Sequence, residues 1–229
     1  MKVSILTSGF PNGFTEEFIQ CIKKYYDSNG VFVFIASDFN MHSKTDKYIN
    51  VFINMFNEYN ITFKKVYCID SRVTKEEAQH HIEKADIVWI SGGDTLKQIK
   101  HINEYDLISD LQNREGITIG MSAGSINMAK KVILAKDIED NIPELSIYEG
   151  IGLVDINIEP HLNGATEEHI NEIYKAAQYA DIYGIHDNSF IMVVDNNIDI
   201  YGTYFKYQCK IVAKNEMLWY NLNVCYITK

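Results

Sequence analysis

The feature with the clearest chemical potential is the pentapeptide Gly-Met-Ser-Ala-Gly at residues 120–124. It lies between a short apolar run with β-branched residues and a helix-compatible stretch, which predicts a strand, a sharp turn and a helix start. Such a turn cramps the serine backbone, so the residues two positions away on either side must lack a Cβ, and Gly120 and Gly124 meet this requirement. From amino-acid composition alone, the pattern Gly-x-Ser-x-Gly is expected by chance about 0.04 times in a chain of this length. The pentapeptide therefore predicts that Ser122 presents an exposed hydroxyl suited to nucleophilic attack.

Two backbone amides are predicted to stabilise the oxyanion that forms when such a serine attacks a carbonyl group. The first is the N–H of Ala123, because the head of a helix carries free N–H groups and the positive end of the helix dipole. The second is the N–H of Gly93. Gly92 and Gly93 follow a predicted strand at 87–91 and precede a helical pattern, and a loop of this kind supplies the second donor in hydrolases with a nucleophile elbow.

A nucleophilic serine also needs a base that takes its proton. His161 is the leading candidate, because it follows an apolar run at 151–159 and because Pro160 stiffens the backbone before it. His186 is the competitor, since it also falls between two predicted strands. The other histidines lie in helical patterns, where solvent-exposed faces are expected, or in a polar loop: His42, His80, His81, His101 and His169.

A third group, an acid, must hold the base in the correct tautomer. Asp187 is favoured because it lies just past a strand end, in the polar segment that joins two apolar strands. Considered without the other candidate residues, Asp187 would be interpreted as a turn residue before a strand. Four other acidic residues stay open as alternatives: Asp137, Asp140, Asp155 and Glu159.

The elements that must position these side chains alternate along the chain. Apolar runs at 3–7, 31–36, 63–69 and 87–91 predict buried strands, and amphipathic stretches between them predict helices. This alternation is typical of a doubly wound, mostly parallel sheet with helices on both faces. Tyrosine-rich alternating segments at 198–201, 204–212 and 217–226 predict an antiparallel C-terminal edge. Ligands of parallel sheets bind beyond the carboxyl ends of the strands, which is where the candidate residues fall.

Bulk properties narrow the class of protein. The 229 residues are 46% hydrophobic and show no linker composition, so we predict a single domain over residues 1–229. A net charge of −10 argues against nucleic acid or an anionic membrane as a partner. The first nine residues lack the apolar core of a signal peptide, and we expect a cytoplasmic protein. The four cysteines are widely separated in sequence, which predicts that they are core or surface residues and form no metal site: Cys21, Cys68, Cys209 and Cys225.

Several of these segments together resemble the aspartyl dipeptidase (peptidase E) and cyanophycinase family of serine peptidases. The order and spacing of the segments run from about residue 87 to 195, and the first half of the chain is compatible. The segments that carry the resemblance are 90–95 (Ile-Ser-Gly-Gly-Asp-Thr), 120–125 (Gly-Met-Ser-Ala-Gly-Ser), 160–161 (Pro-His) and 184–189 (Gly-Ile-His-Asp-Asn-Ser).

The resemblance implies that Ser122 is the nucleophile, that His161 is the base and that Asp187 orients it, with Gly93 and Ala123 as oxyanion donors. It also implies a fold similar to that of class I glutamine amidotransferases, a short peptide substrate with an N-terminal aspartyl or isoaspartyl residue, and no cofactor. The family often has glutamate where this chain has the shorter Asp187, and a small residue where Asn188 stands.

The sequence does not exclude several other functions. The same three residues would cleave esters, so an esterase or other small acyl hydrolase is the alternative enzyme, and a binding module that kept the fold without turnover is the alternative class. An amidotransferase would need cysteine in place of Ser122.

The sequence also bears on binding partners, and the C-terminal edge is a candidate surface for a homodimer. A cation near the elbow would bind an acidic substrate, and the sequence does not choose among Arg72, Lys97, Arg114, Lys130 and Lys131.

Overall fold

The computed structural model describes residues 1–138, 142–214 and 217–227, with side chains described through residue 208. The strands are β1 (Lys2–Thr7), β2 (Gly30–Ile35), β3 (Phe63–Ile69), β4 (Ile87–Ile90), β5 (Gly116–Met121), β6 (Lys131–Leu134), β7 (Ser146–Glu149), β8 (Asn157–Glu159), β9 (Ile182–Ile185), β10 (Phe190–Val194), β11 (Asn197–Tyr201), β12 (Tyr204–Lys214) and β13 (Met217–Ile227). The helices are α1 (Glu16–Lys23), α2 (His42–Glu58), α3 (Lys75–Lys84), α4 (Thr95–Glu104), α5 (Ile108–Asn113), α6 (Ala123–Asn127) and α7 (Glu167–Ala176).

A seven-stranded sheet with the order β11-β10-β1-β5-β4-β2-β3 forms the centre of the molecule. The five strands from β1 to β3 in this order are mutually parallel, whereas β10 and β11 add an antiparallel edge. Helices cover both faces, so the predicted doubly wound, mostly parallel architecture is confirmed. No helix among the described residues is both long and apolar enough to cross a bilayer.

Side chains from alternate positions of the strands build a separate core on each face of this sheet. In β2, Phe32 and Phe34 pack on the face covered by α1 and α2, while Val33 and Ile35 pack on the face covered by α3, α4 and α5. All six residues of β2 are buried. Burial on both faces explains the uninterrupted apolar runs of these strands.

Local signals fix where several helices begin. A capping box opens α3, because the Thr74 hydroxyl accepts from the N–H of Glu77 while the Glu77 carboxylate accepts from the N–H of Thr74. The N-cap residues of α1, α4 and α7 are Thr15, Asp94 and Thr166, and each accepts one backbone N–H with a side-chain oxygen. These four helices thus start at positions that the sequence specifies.

The C-terminal part differs in one respect from the sequence prediction. Only β10 and β11 join the edge of the main sheet, whereas β12 and β13 pair with β9 and β8 in a second sheet of order β13-β12-β9-β8. A small antiparallel hairpin of β6 and β7 follows α6. The predicted strand at 151–159 is limited to β8, and the short helix α5 was not predicted. The possible homodimer stays a prediction.

We predict that Gly124→Ala destabilises the fold through the contact between α6 and β4. A Cβ at residue 124 would overlap the carbonyl oxygen of Ile90 and come within 3.0 Å of that of Ser91, both of which are backbone atoms. We expect the free energy of unfolding, measured by urea denaturation, to fall by about 1–3 kcal/mol. Gly164→Ala is the matched control, because a Cβ there would meet nothing within 4 Å. Equal stability of the two variants would contradict the prediction.

Candidate active site

Ser122 lies at the sharp turn between β5 and α6, as the pentapeptide predicts. Its backbone has φ 50° and ψ −114°, in the left-handed half of conformational space that L-residues avoid. A conformation of this kind costs on the order of 1–3 kcal/mol, so the surrounding structure must hold it in place. A Cβ at residue 120 would come within 2.6 Å of the Ser125 backbone, which explains the glycine on that side of the turn.

The C-terminal end of β1 holds this turn. The Ser122 N–H donates to the Thr7 carbonyl oxygen at 2.9 Å. The Ser125 hydroxyl, which is fully buried, donates to the same carbonyl at 2.8 Å and accepts from the Thr7 N–H at 2.8 Å. The Thr7 hydroxyl completes the set by donating to the Gly120 carbonyl oxygen at 3.0 Å. These bonds connect the elbow to a rigid central strand.

The structure brings the three predicted residues into one hydrogen-bonded chain. His161 Nε2 lies 3.1 Å from Ser122 Oγ, and His161 Nδ1 lies 2.7 Å from Asp187 Oδ1. His161 keeps 46% of its side chain exposed, so its ring faces the solvent-accessible side of the elbow. The shorter aspartate therefore reaches the histidine. With a proton on Nδ1, Nε2 is free to accept the serine proton.

Strand geometry explains why the base and the acid meet. His161 follows β8 and Asp187 follows β9, and these neighbouring strands are parallel, so their carboxyl ends lie side by side. The Asp187 N–H donates to Asn163 Oδ1 at 2.9 Å, and the Asn188 N–H donates to the Gly9 carbonyl at 2.7 Å. The segment between β9 and β10 is therefore tied both to the loop after β8 and to the end of β1.

Residues 8 and 9, directly after β1, also contact this pair. The buried Ser8 hydroxyl lies 2.8 Å from Asp187 Oδ1 and 2.8 Å from the backbone nitrogen of His161. A Cβ at Gly9 would lie 3.0 Å from both Asp187 Oδ1 and His161 Cε1, so only glycine leaves the pair its space. Neither Ser8 nor Gly9 was predicted from the sequence. Their place just past the end of a parallel strand is the signal that could have found them.

The alternative base and acids lie elsewhere. The N–H of His186 donates to the Thr203 carbonyl, and its ring lies tilted against that of Phe205 at a centroid distance of 5.6 Å. Asp155 is exposed. Glu159 and Asp137 are engaged with His169, and Asp140 falls outside the described residues.

The predicted oxyanion donors flank the serine. Ala123 is the first residue of α6. A Cβ at Gly92 would lie 3.3 Å from the Cβ of Ser122, which shows how closely this loop approaches the elbow. Gly93 has φ 134°, and a Cβ there would overlap the hydroxyl of Ser37. Gly92 thus lets the loop lie directly beside Ser122, and Gly93 leaves room for Ser37.

A cavity of about 440 Å³ opens beside Ser122 and His161. Its wall combines apolar side chains with charged ones, and it includes the loop at Gly92 and Gly93. The lining side chains that bear on ligand choice are Phe34, Asp38, Met41, Lys44, Tyr48, Phe52, Asp94, Lys97 and Met121.

Of the five cations considered on the sequence, only Lys97 lines this cavity, and it is paired with Asp38 at 3.3 Å and Asp94 at 3.6 Å. Arg72 is bound by Asp46 and Asp70. Arg114 is buried and donates to backbone carbonyls, whereas Lys130 and Lys131 are exposed outside the cavity lining. Lys44, which the sequence analysis missed, also lines the cavity.

A buried charge cluster supports the strand that leads to His161. His169 was expected on an exposed helix face, but its side chain is 11% exposed; Nε2 lies 3.2 Å from Glu159 Oε1 and Nδ1 lies 3.7 Å from Asp137 Oδ2. Burial disfavours the charged form of the imidazole and by itself lowers its pKa. The hydrogen bond and charge of Glu159, together with the charge of Asp137, outweigh that effect and raise the pKa of His169 to about 9.

The fold and the site together define an α/β protein with a serine at a sharp turn between a strand and a helix. The sequence profile of peptidase family S51 matches residues 5–201, and the chain belongs to that family. It is 27% identical to a peptidase E of a Nostoc species over 174 residues, which cover 70% of this chain and 71% of the relative. It is 29% identical to the Salmonella typhi peptidase E over 124 residues, 49% of this chain.

The match to the Salmonella protein spans 53% of that relative's length. Among solved structures, a peptidase from an acI-B1 Actinobacterium superposes with a TM-score of 0.64 at 12% identity. The superposition covers 99% of this chain and 97% of the other. At that identity the likeness concerns the fold.

The His169 cluster predicts a specific dependence of stability on pH. Because the pKa of His169 rises from an ordinary 6.5 to about 9 on folding, its contribution is fully present below pH 6.5 and is lost as the pH rises through 9. We expect wild type to lose on the order of 2 kcal/mol more unfolding free energy than His169→Gln between about pH 6 and about pH 9.5. Urea denaturation at both pH values measures this, and parallel losses in the two proteins would refute it.

Proposed function

We propose that this protein is a serine peptidase that hydrolyses short peptides through an acyl-enzyme formed on Ser122. The observation that carries the proposal is the hydrogen-bonded chain from Ser122 Oγ through His161 to Asp187, at 3.1 and 2.7 Å. Membership of peptidase family S51 supports the same reaction class. Under this proposal Ser122 is the nucleophile, His161 is the base and Asp187 is the orienting acid.

In the proposed reaction His161 Nε2 accepts the Ser122 proton while Oγ forms a bond to the scissile carbonyl carbon. The carbonyl electrons move to oxygen, and the N–H groups of Gly93 and Ala123 stabilise that oxyanion. His161 then gives its proton to the leaving amine as the C–N bond breaks. A water molecule, deprotonated by His161, releases the acid product and restores Ser122.

The cavity supports a substrate with an acidic N-terminal residue. Such a residue carries both an ammonium group and a carboxylate. Asp38 and Asp94 share a single cation, Lys97, which leaves one net negative charge beside the cavity to attract an ammonium group. Among the side chains described, Lys44 has no ion pair and is the cation available for the carboxylate. We infer that an aspartyl or isoaspartyl dipeptide fits this arrangement.

Two alternatives have weaker support. An esterase would use the same residues, and a panel of matched ester and peptide substrates separates it from a peptidase. The reason for considering a silent binding module was the short side chain of Asp187. Its 2.7 Å distance to His161 Nδ1 removes that reason. A fluorophosphonate that fails to label Ser122 would favour the binding module.

We predict that Ser122→Ala abolishes both fluorophosphonate labelling and hydrolysis of Asp-Xaa dipeptides while leaving the fold intact. Removing the nucleophile of such a triad costs a factor on the order of 10⁶ in kcat. Mass spectrometry of the labelled protein identifies the site, and circular dichroism checks the fold. Hydrolysis at the wild-type rate by the variant would remove Ser122 from the mechanism.

We predict that Lys44→Ala weakens the binding of acidic substrates. Loss of a charge-assisted hydrogen bond of about 1.5–3 kcal/mol raises KM for Asp-Xaa roughly 10- to 100-fold. For Ala-Xaa, which lacks the carboxylate, KM should change little. Lys47→Ala is the matched control, since Lys47 is exposed on the same helix and outside the cavity lining. Equal effects of Lys44→Ala on both substrates would exclude this role.

A further inference from the structure

We propose that Ser8 is a positioning residue that holds Asp187 and the backbone of His161 in register through one hydroxyl group. The inference rests on the proposed function insofar as Asp187 and His161 form the acid–base pair of that reaction. It assigns a role to a side chain at the end of β1, distant in sequence from both residues that it contacts.

The contacts assign the hydroxyl a single arrangement. Ser8 Oγ lies 2.8 Å from the His161 backbone nitrogen, which can only donate. It also lies 2.8 Å from Asp187 Oδ1, which as a carboxylate oxygen can only accept. The hydroxyl proton therefore points to Asp187 while a lone pair receives the His161 N–H. One oxygen atom joins the acid side chain to the main chain of the base.

One carboxylate oxygen of Asp187 accepts hydrogen bonds from both Ser8 and His161. Asp187 Oδ1 accepts from Ser8 Oγ at 2.8 Å and from His161 Nδ1 at 2.7 Å. Two donors on one oxygen fix the rotation of the carboxylate, because turning it away would break both bonds. The 3.4 Å separation of Ser8 Oγ from His161 Nδ1 shows that the ring packs against the hydroxyl as well.

The hydrogen bond from the His161 N–H to Ser8 Oγ also restrains the backbone of His161. His161 has φ 56° and ψ 26°, a left-handed conformation that a side chain with a Cβ rarely adopts. The bond from its N–H to Ser8 helps to hold this conformation, which directs the ring toward Ser122. Ser8 itself is fully buried, so water cannot replace its hydroxyl as a partner.

The experiment compares wild type, Ser8→Ala, Ser8→Cys and Ser4→Ala. Ser8→Cys keeps the side-chain volume and replaces a strong donor with a weak one, so it tests the role if the alanine variant unfolds. Ser4→Ala is the matched control, because Ser4 is a buried serine within β1, four residues before Ser8. Thermal denaturation establishes that each variant is folded.

The first readout needs no turnover. The proton between His161 Nδ1 and Asp187 should give a low-field NMR signal in wild type, assigned by its absence in His161→Asn. We expect Ser8→Ala and Ser8→Cys to lose or shift this signal, whereas Ser4→Ala and Ser122→Ala keep it. A signal unchanged in both folded Ser8 variants would overturn the inference.

The second readout is kinetic. A mispositioned base should lower kcat and the rate of Ser122 phosphonylation roughly 10- to 100-fold in the Ser8 variants, with KM within about twofold of wild type. Wild-type rates in these variants would overturn the positioning role. Failure of the proposed function is distinguishable, since wild type would then neither be labelled at Ser122 nor cleave peptides, while the NMR comparison would still report on Ser8.

Discussion

The candidate site depends on the last residues of β1 and those directly after it. Thr7 binds the elbow through the Ser122 N–H and the Ser125 hydroxyl, Ser8 binds Asp187 and His161, and Gly9 leaves space for that pair. Because β1 lies inside the main sheet between β5 and β10, its position is fixed from both sides. One buried strand end thus sets the distance between Ser122 and His161.

Two backbone positions in the site carry non-glycine residues with positive φ. Ser122 and His161 both adopt conformations that an isolated chain would leave. In each case an N–H bond to the segment that ends β1 restrains the residue, at 2.9 Å for Ser122 and 2.8 Å for His161. Preorganisation of this kind lets hydrogen-bond donors and acceptors stand ready before a substrate arrives.

Local patterns account for the parts that the sequence predicted well. The elbow is specified by Gly120 and Gly124 within five residues, and α3 by a capping box within four. The second sheet was missed because the separation of β9 from β10 depends on pairing with β12 and β1, which no short window contains. Lys44 was missed for the same reason, since α2 reaches the cavity only through its packing on the sheet.

The division of the site between two sheets has a mechanical consequence. Ser122 extends from the main sheet, His161 follows β8 in the second sheet, and Asp187 lies on the segment that passes from one sheet to the other. A slight shear between the sheets would lengthen the gap between Ser122 and His161 and leave the elbow intact. Under the proposed function, proton transfer from Ser122 would then be interrupted although the bonds that hold its turn were undisturbed, and turnover would depend on the alignment of the two sheets.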